Sequence, residues 1–187
     1  MTNLKLLSRR LALTILLFTT GHAYAVNDPD YLGYPVDSTV KILINWQSFL
    51  DQGIPASWQT PVQDMVINAY TRWMHVAGFR LLPRFWGYTT ATSPAADEII
   101  IMMNEKHESR LASRFGLPAL IVFHRKDGTT NTDWPWSPYR ANAGEYDMQT
   151  VLMHELGHAF GLEHNTNGID RSVMGYYDFR GRFGPYV

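Results

Sequence analysis

From residue 40 onward the apolar positions of this chain fall into two rhythms. Val40, Ile42, Ile44 and Trp46 alternate with Lys41, Leu43 and Asn45. A period of two sends successive side chains to opposite faces, so this stretch predicts a strand. Val62, Met65, Val66, Ala69, Trp73 and Val76 instead recur at spacings of three and four, which is one face of a helix. Thr60 is placed to cap that helix, Pro61 suits its first turn, Gln63 completes a capping box and Gly78 is a natural stop. His75 falls in its last turn, where a cation suits the dipole, and reads as a structural or surface residue.

Residues 79–86 predict a further strand, which Pro83 breaks or confines to a sheet edge. Residues 98–103 (EIIIMM) and 119–124 (ALIVFH) are short apolar runs with polar borders and predict buried strands. Between them residues 105–115 predict one short helix. His107 and His124 stand alone and read as satisfied strand or surface positions. Residues 126–146 show no period and predict a long loop carrying Trp134 and Trp136, which either line a cleft or pack the loop on the body. Asp147 is placed to cap a second helix through residue 160.

The N-terminus changes the picture of where the protein works. Lys5, Arg9 and Arg10 precede an apolar run at residues 11–20, and Ala23-Tyr24-Ala25 is a small-x-small cleavage site. That is the pattern of a secretory signal, and the run is well short of the ~20 residues a spanning helix needs. Residues 1–25 are therefore expected to be a signal peptide, 26–38 an extended lead-in and 39–187 one catalytic domain. The expected location is secreted or periplasmic, with no membrane attachment after the signal is removed. Formal net charge is −1, so nothing in the balance suggests phosphate neutralisation, and nucleic acid is not an expected partner. There is no cysteine, which excludes disulfides and thiolate metal ligands.

The chemistry concentrates in MHELGHAFGLEH, residues 153–164. On a helix His154 and His158 lie one turn apart on one face, where two imidazoles can share a tetrahedral ion. Glu155 stands beside them, in reach of a metal-held water and suited to a general base. Gly161 accepts positive φ and can end the helix sharply, returning His164 as a third imidazole. Chance produces the complete H-E-x-x-H-x-x-G-x-x-H far more rarely than a bare H-E-x-x-H, which weighs against surface histidines. The set implies one catalytic Zn2+, with Ca2+ possible near Asp127, Asp133, Glu145 and Asp147 but supported by no calcium-loop spacing.

This constellation resembles the metzincin clan of zinc endopeptidases, and the order of elements resembles the matrixin-like catalytic domain. Ser172-Val173-Met174-Gly175-Tyr176, with Met174 ten residues after His164, resembles the clan's Met-turn. The resemblance implies an α+β metzincin-like zincin fold: a twisted mixed sheet, two long helices and a short irregular C-terminal subdomain. It implies a protein or peptide substrate held extended in a cleft by an edge strand, for which residues 119–124 are the candidate, and Thr150 lining the S1′ pocket. Tyr176 matches an astacin- or serralysin-like position, where a tyrosine is a fifth zinc ligand and oxyanion stabiliser; a pocket-wall role stays equally open. Asn165, after the third histidine, matches none of the usual family choices. A monomer is expected. Two other readings stay open: a secreted zinc-binding pseudoenzyme acting as a binding module, and a zinc hydrolase of cell-wall peptides.

Overall fold

The computed structural model describes residues 34, 37–76, 80–106, 112–115, 118–138, 141–142, 144–164 and 173–174. The expected signal peptide, most of the lead-in, Gly78, His107, Tyr176 and nearly all of the expected C-terminal subdomain lie outside these residues.

Strand β1, Thr39–Ile44, is flanked on both sides by parallel partners, β2 (Leu82–Tyr88) and β3 (Glu98–Lys106). Because both faces of a central parallel strand are covered, Leu43 is buried along with Val40, Ile42 and Ile44. Lys41 reaches outward, to Asp97 at 2.9 Å and over the Trp86 ring. The predicted alternation ends earlier than expected. Trp46 is not a strand residue but opens a short helix, α1 (Trp46–Asp51), which Asn45 caps by accepting from the Ser48 amide.

The long helix α2 spans Gln59–Met74 and buries Val62, Met65, Val66, Ala69 and Trp73, the face predicted from spacing. Its predicted cap does not form. A 3₁₀ turn, Ala56–Trp58, runs directly into the helix, so Thr60 falls inside the first turn and Trp58 takes the cap position with no side-chain bond. The helix ends before Val76, which is exposed.

β2 is an edge strand, as Pro83 requires. β3 pairs in parallel with β5 (Ala119–Lys126), and β4 (Ala112–Phe115) lies antiparallel on the far side of β5. The strand order is β2-β1-β3-β5-β4. Two expectations are corrected here. Residues 105–115 hold no helix among the described positions: β3 extends to Lys106 and Ala112 opens β4. Residues 119–124 are not an edge, because β4 pairs with them on the outer side; β4 is the edge there, at the opposite end of the sheet from β2. The stretch predicted as a long loop contains two short strands, β6 (Trp136–Ser137) and β7 (Tyr146–Asp147), paired in parallel.

The second long helix, α3 (Met148–Ala159), packs beside α2. One core joins the two helices to the inner face of the sheet: Ile99, Ile101, Met103, Ile121 and Phe123 meet Val66, Val151, Leu152 and Leu156. Trp73 ties the helices by donating from Nε1 to the Met153 carbonyl at 3.0 Å. Trp136 packs edge-on against Phe123 and Trp134 against Tyr146, so both tryptophans fasten the connection to the body. Tyr34 is buried and bridges the strand starts, donating to the Glu98 carbonyl and accepting from the Ala119 amide.

Candidate metal centre

Asp147 begins the site from a distance of two helical turns. Its carboxylate accepts from the Gln149 amide at 2.9 Å and from the Thr150 hydroxyl at 2.7 Å. This is the predicted cap, and it satisfies an amide the first turn would leave open. Thr150 is buried and donates its hydroxyl to that carboxylate. The other acidic residues near it are also engaged: Asp133 with Arg125, Glu145 with the Asn142 amide, Asp127 with the amides of its own turn. Among the described residues the metal-compatible cluster is His154, His158 and His164.

α3 carries His154 and His158 on one face and ends at Ala159. Gly161 then adopts φ +92, which side chains rarely tolerate, and the Leu162 amide closes on the Gly157 carbonyl at 2.9 Å. That turn returns His164. The three Nε2 atoms lie 3.0, 3.1 and 3.1 Å apart. The Nδ1–H of His154 donates to the Val173 carbonyl and that of His158 to the Leu162 carbonyl, both at 2.8 Å. A carbonyl only accepts, so in both rings the proton is on Nδ1 and Nε2 carries a lone pair.

Lone pairs facing one another at 3 Å repel unless a cation sits between them. Three nitrogens at this spacing would suit one ion bonded to each at the usual ~2.0–2.1 Å. The electrostatics agree. Burial pushes the His154 imidazole down to about 4, against the raising effect of the Val173 carbonyl. Burial also lowers His158 and His164. Neutral imidazole is the ligand form, so the pocket holds the histidines ready for a metal at neutral pH. The residues present therefore suit a single zinc with nitrogen ligands.

Glu155 is buried on the same helix, between the two helical histidines in sequence. Met174 is buried beneath the triad's helix, its sulfur pressed against Gly157 where a Cβ would stand. The turn at Val173 and Met174 thus does two things: one residue's carbonyl orients His154, the next floors the helix. Tyr176 lies outside the described residues. The carbonyls of Val173 and Leu162 and the packing role of Gly157 were not anticipated from sequence. Backbone acceptors leave no side-chain signal. A glycine inside a helix does leave one, since it costs helix stability and usually marks a close approach.

The Matrixin peptidase family model matches residues 49–178, which take in every strand after β1, both long helices, the triad and the Met174 turn. No curated protein matches the chain.

Proposed function

The chain belongs to the matrixin family, a family of zinc-binding metallopeptidases, and from that premise we propose that it is an exported zinc endopeptidase with Glu155 as its general base. The observation that supports this reading is the convergence of three Nε2 atoms within 3.1 Å of one another, on rings whose proton affinity burial lowers. His154, His158 and His164 hold the zinc. When bound, zinc supplies Lewis acidity and a water of lowered pKa. Glu155 accepts the proton of the attacking water and returns it to the leaving amine nitrogen of the scissile peptide. The substrate lies extended along β4, the antiparallel edge strand of the described sheet, in the manner of strand addition. Residues 1–25 direct export and are removed, so N-terminal sequencing of the exported protein should begin at Val26.

The test compares the mature parent with Glu155→Ala. Zinc per chain is measured by elemental analysis and casein cleavage with and without a chelator. The expected result is one zinc in both proteins, and cleavage that falls by roughly 10²-fold or more in the variant and vanishes on chelation. Near-parent turnover by Glu155→Ala sinks the assigned base. Zinc bound with no cleavage of casein, but cleavage of a peptidoglycan stem peptide, favours the cell-wall hydrolase. Zinc bound with no cleavage of either favours the binding module.

A further inference from the structure

β4 is a four-residue edge strand, and two adjacent residues anchor it from opposite faces. Ser113 pairs with Val122 and shares its face of the sheet with His124. Its hydroxyl donates to His124 Nε2 at 3.2 Å, and His124 Nδ1–H donates to Asn104 Oδ1 at 2.6 Å. The ring is wholly buried. With Nδ1 donating and Nε2 accepting, it has one tautomer and one orientation. A series of side chains therefore runs from β3 through β5 to β4 and holds the edge strand in place.

Arg114 follows Ser113 and, by strand alternation, points to the other face, the one that meets α3. Its Nη2 donates to the carbonyl of His158 at 3.1 Å. That carbonyl belongs to the last turn of α3, where backbone acceptors have no helical partner and the dipole favours a cation. The same carbonyl accepts the Gly161 amide at 3.1 Å, at the start of the reversal that leads to His164. The carbonyl that holds His158 Nδ1–H, that of Leu162, also lies in this reversal. A guanidinium pinned to the edge strand thus grips the one turn that sets two of the three candidate ligands.

We propose that Arg114 is a positioning residue for the metal centre. By holding the His158 carbonyl it fixes the last turn of α3, and with it the place where His164 Nε2 meets the other two nitrogens. The Asn104–His124–Ser113 series sets the strand from which the guanidinium reaches. This inference rests on the triad being a metal site, and it joins that site directly to the strand on which the substrate is proposed to lie.

The test reads the metal rather than turnover. Zinc dissociation constants are measured by chelator competition for the parent, Arg114→Ala, Arg114→Lys and Ser113→Ala, and ligand geometry is read from the visible spectrum of the Co2+-loaded proteins. Arg114→Ala is expected to raise the zinc Kd by tenfold or more, the usual scale for a partner that orients a ligand, and to shift the Co2+ bands. Arg114→Lys keeps the charge but not the planar fork, and its Kd is expected to fall between those of alanine and the parent. Ser113→Ala is expected to move both readouts the same way by a smaller factor. A parent-like Kd and spectrum in Arg114→Ala overturn the proposal. Should that variant not fold, as judged by far-ultraviolet circular dichroism, Arg114→Gln and Ser113→Ala decide: parent-like values in both overturn it. A parent that binds no zinc at all sinks the metal reading itself, and the two failures are distinct.

Discussion

His154 and Gly157 show how much a single position contributes here. With no side chain of its own, Gly157 admits the Met174 sulfur and the Trp73 ring to the helix backbone; an added Cβ would overlap the sulfur and lie 3.0 Å from Trp73 Cζ2. Both neighbours are buried, so neither can move freely into solvent. Gly157→Ala is expected to destabilise the metal-free protein by ~1–3 kcal/mol, although alanine is the better helix former, and denaturant unfolding measures it. A stabilised variant would mean that the Met174 turn does not press on the helix. His154 carries a pH dependence. Its folded pKa is depressed to about 4 from an ordinary 6.5. Between those values the unfolded chain binds a proton that the folded chain refuses. Stability of the chelated protein is therefore fully present above pH 6.5 and declines as pH falls towards 4. His158 and His164 are shifted the same way and add to the decline. The urea midpoint of chelated protein should be lower at pH 5 than at pH 7, with a smaller difference in His154→Gln; equal differences in the two proteins would contradict the assignment.

At the level of elements, α3 depends on its cap. Asp147 is buried and accepts from both the Gln149 amide and the Thr150 hydroxyl. Asp147→Ala removes the cap and strands a buried hydroxyl, so a loss of ~1–2 kcal/mol is expected in chemical denaturation. An unchanged midpoint would show that the first turn is held by tertiary packing alone. This cap was legible because aspartate directly precedes a helical pattern. The cap of α2 was not. Thr60 and Gln63 have the right spacing, but the 3₁₀ turn at Ala56–Trp58 carries the helix upstream of them. The capping rule is local, while the entry path of the chain is set by where Trp58 packs against the core. The residues of β4 were misread for a related reason. ASRF has no strong strand propensity, and it becomes a strand because β5 offers it backbone partners from Phe123 to Leu120.

Across the whole molecule the metal is expected to act as a fastener for the end of α3, the reversal after it and the Met174 turn. The triad joins the end of α3 to the reversal after it, and the Val173 carbonyl ties in the Met174 turn. Zinc at a hundredfold excess over its Kd should stabilise the fold by about 2.7 kcal/mol. Chelation should therefore lower the melting temperature, and the shift should grow with the logarithm of free zinc in scanning calorimetry. An unchanged melting temperature under saturating zinc would contradict binding at this site.

The sequence by itself determined the apolar faces of both long helices, the two buried strand runs and the ligand spacing of residues 154–164. These depend on the 3.6- and 2-residue periods and on fixed offsets within one short segment, which every conformation of the chain carries. Tertiary structure decided which strand became the edge, that Trp134 and Trp136 pack inward and that Thr150 faces its own cap. It also decided that Arg114, 44 residues before His158, reaches the carbonyl of that ligand. Such contacts depend on which strand lies next to which, and strand order is set by the joint burial of all five strands against two helices, a sum over the whole chain that no single stretch of residues contains.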